Sequence, residues 1–202
     1  MATITAAIEA ATAALPPVAY LSLNVSPELV LSGHLGQLLA GQTRPIVLEI
    51  TEHVAIDDYA ELRRELSAFG PTVGVAVDDA GAGYASFRHI LELAPQEVKL
   101  DIGLVRGVDA DPARQALIAG MSYFAVKRKI HLIAEGVETH KELGTLRSLG
   151  VHFGQGYLLG RPQDGRGPGP WPTWVALAGS SSEPRLEGPG PDGVSTPPGP
   201  TG

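Results

Sequence analysis

Short apolar runs, each closing on a polar residue, recur along this chain at intervals of about one strand-plus-helix unit. They are AYLSLNV (19–25), PIVLEIT (45–51), VGVAVDD (73–79), EVKLDI (97–102) and KIHLIAEGV (129–137), with GYLLG (156–160) a weaker sixth. Runs this short, and this rich in Val, Ile and Leu, predict parallel strands covered on both faces.

The segments between them carry helix signals. In 55–69, Ile56, Tyr59, Leu62, Leu66 and Phe69 share one face, and Gly70–Pro71 stops the helix. Asp111 followed by Pro112 predicts an N-cap and first helical position, with Lys127, Arg128 and Lys129 at the favourable C-terminal end. Thr139 with Glu142 predicts a capping box, and Gly150 the left-handed stop. The alanine-rich stretch 2–14 predicts a helix before the first strand. Alternation of this kind predicts an α/β fold with right-handed crossovers.

The strand ends point to chemistry. Asn24, Glu49, Asp78, Lys99 and Glu135 lie at or near them, and Gln155 precedes the last run; the gaps are 25, 29, 21, 36 and 20 residues. In a (β/α) barrel such ends converge on one face, and that face carries the site. The spacing therefore predicts a ring of amide, carboxylate and lysine groups. Asp78 and Asp79 are adjacent like charges, tolerable close together only with a proton or cation between them. Oxygen donors without thiolates or a histidine pair suit Mg²⁺, Mn²⁺ or Ca²⁺ rather than zinc. Two ions about 3.5–4 Å apart are a recurrent device for phosphodiester cleavage. Lys99 suits a water or a developing phosphate charge. Aspartates at strand ends also make turns and caps, but six polar strand ends in sequence exceed what turns alone require.

Composition removes other classes. The chain has no cysteine, so disulfides, thiolate metal sites and cysteine nucleophiles are excluded. Net charge is −7 with no basic block, which argues against a DNA or RNA footprint. The first basic residue is Arg44, unlike the charged start of a signal peptide. No apolar run approaches the ~18 residues of a membrane span. A cytoplasmic protein is the expectation. Residues 163–202 hold 9 of 17 prolines and 9 of 25 glycines, so the expected division is a folded domain over 1–162 and a flexible tail over 163–202. Trp171 and Trp174 are the tail residues suited to docking back. G-x-G-x-x-G fails at Ser86, and no P-loop, G-x-S-x-G or H-E-x-x-H pattern occurs.

NVSP (24–27), LEITE (48–52), DDAGAGYAS (78–86), VKLD (98–101), AEGVET (134–139) and GQGYLLGRP (154–162) occur in the order and spacing of EAL domains, the bacterial cyclic-di-GMP phosphodiesterases, which this chain resembles from about residue 1 to Pro162. The resemblance implies a TIM-like barrel that uses Mg²⁺ or Mn²⁺ in second-messenger signalling, with cyclic-di-GMP hydrolysed to linear pGpG by metal-activated water. By position it implies that Asn24, Glu49 and Asp78 hold one metal and Asp79 the second. Lys99 resembles the lysine that holds a catalytic water, and Glu135 the ligand or base beside it. Glu138 and Gln155 resemble supporting groups. Glu52 resembles the glutamate that braces the loop Ala80–Ser86, which in the family links the metals to dimerisation.

Two departures follow. Ala80 and Ala82 stand where the family pattern D-D-F-G-T-G-Y has Phe and Thr, which loosens the expected brace. No Glu-Ala-Leu occurs at a strand end; IEAAT (8–12) lies on the alanine-rich helix. The expectation is an incomplete barrel of about six βα units, with the first two strands, one metal ligand and a substrate-binding arginine missing. A closed barrel takes about 250 residues. Open edges invite a second copy or a complementing chain. Weak or no hydrolysis by the isolated chain is expected. The alternative readings are a cyclic-di-GMP-binding sensor and a protein-interaction module.

Overall fold

The computed structural model describes residues 2–14, 19–51, 55–81, 85–161 and 175–177. Six strands pair in chain order, all parallel: β1 (Leu21–Asn24), β2 (Ile46–Thr51), β3 (Val73–Ala80), β4 (Glu97–Leu100), β5 (His131–Ala134) and β6 (Phe153–Gly154). A seventh, β7 (Val175–Ala176), pairs antiparallel with β6. The helices are α1 (Ala2–Ala14), α2 (Pro27–Leu31), α3 (His34–Leu39), α4 (Tyr59–Ala68), α5 (Ala85–Leu93), α6 (Ile102–Val105), α7 (Pro112–Arg128) and α8 (His140–Ser148), with a 3₁₀ turn over Val108–Ala110. Among the described residues β1 and β7 are the two sheet edges and do not pair with each other, so the architecture is an incomplete TIM-like barrel. No helix among these residues is long and apolar enough to cross a membrane.

Alternation along the strands gives the sheet two unlike faces. Leu23, Leu48, Ile50, Val75, Val77, Val98, Leu100 and Leu132 form one buried cluster with Val30, Leu62, Leu66, Ile90, Ile118 and Leu146 from the helices. The opposite, inner face presents Ser22, Asn24, Glu49, Asp78, Glu97 and Lys99. One row of apolar side chains thus glues on the helices, while the other row is left for chemistry.

The starts of α7 and α8 follow the sequence; α4 begins only at Tyr59, so Ile56 precedes the helix expected over 55–69. Asp58 caps α4 through Glu61 N, and Asp111 caps α7 with Pro112 in the first turn. Thr139 and Glu142 form a reciprocal capping box at α8. Buried Glu142 also accepts from Gly107 N at 2.9 Å and Glu138 N at 3.1 Å. Burial pushes its pKa up, but these donors together hold it below the usual carboxylate range. Lys129 stops α7 in the left-handed region at φ 57°.

Two further features differ from the sequence reading. GYLLG (156–160) is a turn; the sixth strand is Phe153–Gly154 just before it. Gly156 takes φ 154°, and Leu159 N and Gly160 N both donate to Gly156 O, closing a turn that lays Leu158 and Leu159 on the core. β7 lies inside the segment expected to be a flexible tail. Leu177 beside it is buried and donates from its N–H to His152 O at 2.7 Å. Trp171 and Trp174 lie outside the described residues.

Gly156 joins the last two strand ends. Val137 N donates to Gln155 O at 3.0 Å and Leu158 N to Val137 O at 3.1 Å. A Cβ at Gly156 would lie 2.2 Å from Val137 N and 2.3 Å from Val137 O. Gly156→Ala is expected to lower unfolding free energy by more than about 2 kcal/mol in urea titration, because backbone must move; unchanged stability would contradict this packing.

Candidate functional site

Lys99 lies on the inner face of β4, flanked by β3 and β5. Its ammonium reaches Glu49 Oε2 on β2 at 3.1 Å, Asp78 Oδ1 on β3 at 3.0 Å and Glu135 Oε1 just beyond β5 at 2.8 Å. An ammonium has three hydrogens, and here each has a carboxylate. Glu49, Asp78 and Lys99 are all buried. Burial alone would lower the Lys99 pKa; Glu49, Glu135 and Asp78 outweigh it and raise it, so the residue stays charged.

Each carboxylate has a second donor. Ser22 Oγ donates to Glu49 Oε1 at 2.5 Å. The backbone N–H of Asp79 donates to Asp78 Oδ1 at 3.1 Å. Gln155 Nε2 donates to Glu135 Oε1 at 2.5 Å. Three carboxylates against one ammonium still leave two negative charges uncompensated. Burial, opposed by Lys99, raises the Glu135 pKa.

The adjacent aspartates are brought to one side by a bulge. Val77 pairs with Val98, but Ala80 pairs with Leu100, so β3 carries one more residue than β4 across this interval. Asp79 takes φ 56°, a left-handed conformation that aspartate tolerates better than most residues. One oxygen each from Asp78, Asp79 and Glu135 then lie within 4.8 Å of one another. Such an all-oxygen donor set, short of positive charge, fits a hard divalent cation.

The structure thus brings together Glu49, Asp78, Asp79, Lys99, Glu135 and Gln155. Asn24 is exposed on edge strand β1 and stands beside Glu49 through the register. The Glu138 carboxylate accepts from Arg106 Nη2 at 2.7 Å, on the loop after α6. Gly136, at φ 66°, turns the chain between Glu135 and Glu138. Glu52 and residues 82–84 of the braced loop lie outside the described residues.

Two inner-face residues escaped the sequence reading. Ser22 lies two positions before Asn24, and Glu97 two before Lys99; strand periodicity is the signal that would have found both. Glu97 is buried and pairs in register with Ala76 and His131. Burial, with Glu49 adding and Lys99 opposing, pushes its pKa from 4.5 to about 7.

An EAL domain family model matches residues 2–162. The chain belongs to the EAL domain family. Among curated relatives, the probable cyclic di-GMP phosphodiesterase PdeD of Escherichia coli is 33% identical over 172 residues, covering 82% of this chain and 31% of that protein. The bifunctional diguanylate cyclase/cyclic di-GMP phosphodiesterase MucR of Pseudomonas aeruginosa is 34% identical over 120 residues, 58% of this chain and 17% of that protein. This EAL chain thus spans under a third of the length of either relative. Among solved structures, the manganese/cyclic-di-GMP complex of Klebsiella pneumoniae BlrP1 at pH 9.0 has a TM-score of 0.71 and 30% identity, covering 80% of this chain and 43% of that chain. The cyclic-di-GMP-bound standalone EAL protein of Vibrio cholerae has a TM-score of 0.66 and 27% identity, covering 80% of this chain and 71% of that chain.

The acid missed in the sequence generates a pH prediction. Because the folded Glu97 holds its proton to about pH 7 and the unfolded one only to about 4.5, stability falls as pH rises through that window. Glu97→Gln removes the penalty. Near pH 5 the variant and the parent are expected to unfold at similar urea concentrations; near pH 8 the variant is expected to be more stable, by up to about 3 kcal/mol. An equal difference at both pH values would show that Glu97 ionises normally.

Proposed function

We propose that this chain carries a cyclic-di-GMP phosphodiesterase site that works with Mg²⁺ or Mn²⁺. The observation that carries the reading is the Lys99 cluster: three carboxylates drawn to one ammonium, with Asp79 turned toward them by the bulge and two charges left for a divalent cation. Asn24, Glu49 and Asp78 are the proposed holders of one ion and Asp79 of the second; Glu135, beside them, is the proposed base. A bound divalent ion supplies Lewis acidity that makes water a nucleophile at neutral pH.

The chain's own groups supply the rest. Water oxygen adds to phosphorus and the P–O3′ bond breaks. Glu135, whose burial favours proton uptake, accepts the proton from water. The departing 3′ oxygen takes a proton from solvent, and the linear product keeps a 5′-phosphate. The three Lys99 hydrogens go to Glu49, Asp78 and Glu135 in the structure; one released by a carboxylate that turns to an ion would serve that water or the non-bridging phosphate oxygens. Gln155 holds Glu135 in place. An enzyme of this class implies a cytoplasmic chain. The β1 edge, unpaired among the described residues, supports assembly with a second copy or a complementing chain.

The test is incubation of the purified chain with cyclic-di-GMP and Mn²⁺, with chromatography of the products. Linear pGpG is expected to form slowly, because Asn24 lies on an open edge. EDTA is expected to abolish it, and Asp78→Asn to lower the rate at least about 100-fold. That same open edge favours one second reading, a sensor. Calorimetric binding of cyclic-di-GMP without any pGpG would support the sensor and overturn turnover; neither binding nor product would remove both.

A further inference from the structure

We infer that Ser22 is a positioning residue for Glu49 and sets which way that carboxylate faces in the cation site. The inference rests on the reading of the site proposed above and adds a residue to it. Ser22 and Asn24 lie on the inner face of β1, two positions apart, while Leu23 between them is buried in the helix-side cluster. β1 is parallel to β2 with Ser22 opposite Val47 and Asn24 opposite Glu49, so the Ser22 hydroxyl reaches the glutamate diagonally. A serine on an exposed edge strand has water as an equal partner. This one instead donates to Glu49 Oε1 at 2.5 Å.

The consequence lies at the other oxygen. Glu49 Oε2 accepts from Lys99 Nζ at 3.1 Å. Held at both oxygens by donors on different strands, the carboxylate has one plane. The terminal torsion of glutamate is otherwise broad and roughly two-fold. Without the hydroxyl, Glu49 is able to turn both oxygens onto Lys99. That would draw the ammonium away from Asp78 and Glu135 and bury the oxygen that a cation needs. Ser22 therefore keeps Glu49 shared between the ammonium and an incoming ion.

The cleanest comparison is Ser22→Thr with Ser22→Val, since the two differ by a hydroxyl in nearly one shape and both suit a strand. Crystal structures without metal and Mn²⁺ titration by calorimetry, each with the wild type, form the experiment. The expected result is a wild-type Glu49 plane and Mn²⁺ affinity within about twofold for Ser22→Thr. For Ser22→Val, Glu49 is expected to reorient onto Lys99, with about tenfold weaker Mn²⁺ binding from loss of a hydrogen bond to a charged group. Ser22→Ala is expected to follow Ser22→Val. An unmoved carboxylate in Ser22→Val, or equal affinities for the Thr and Val variants, would overturn the inference. If the wild type binds no Mn²⁺, the proposed function fails, while the metal-free structures still decide whether Ser22 orients Glu49.

Discussion

One buried ammonium organises the inner face of this sheet. Glu49, Asp78 and Glu135 come from three different strand ends, and each oxygen that meets Lys99 does so within 3.1 Å. Three carboxylates buried side by side without a cation would have to take up protons or open to water. Lys99 makes the arrangement tolerable, yet it does not neutralise it. Burial raises the pKa values of Glu135 and Glu97, and the neighbouring carboxylates add to that rise while Lys99 opposes it. A site that is folded but still short of positive charge is poised for a divalent ion, and this links the packing of the sheet to the chemistry of the family.

The bulge in β3 matters for the same reason. In a regular strand, neighbours face opposite sides, and only one of Asp78 and Asp79 would belong to the site. The extra residue and the left-handed φ of Asp79 remove that choice. A backbone irregularity near the end of one strand thereby sets how many carboxylates meet at one point.

Much of this was legible in the sequence because the parallel sheet leaves a plain pattern. Leu48, Ile50, Val75 and Val77 had to be apolar to hold the helices, so polar residues at the ends of those strands stood out. Ser22 did not, because a serine within a short edge strand reads as solvent-facing until its partner on the next strand is known. Glu97 opens its strand, where a carboxylate ordinarily meets water; here it is buried between the strands that carry Ala76 and His131. The apolar letters of GYLLG imitate a strand, but the close approach of Gly156 to Val137 wraps them into a turn. Glu138 was named with Gln155 through the family resemblance alone; beyond the left-handed Gly136 its carboxylate meets Arg106, a partner no motif announced. β7 was hidden by its neighbours, since two pairing residues cannot be seen within a proline- and glycine-rich segment.

The most direct measurement of the central claim is the unfolding free energy of Lys99→Met, in EDTA and in Mn²⁺, beside the parent chain. With the ammonium gone, the three carboxylates face one another. The account predicts a loss of at least about 3 kcal/mol in EDTA, the usual cost of leaving buried charge unpaired, with part of it restored by Mn²⁺. A variant as stable as the parent in EDTA, and indifferent to Mn²⁺, would contradict the claim that one cation gathers these acids.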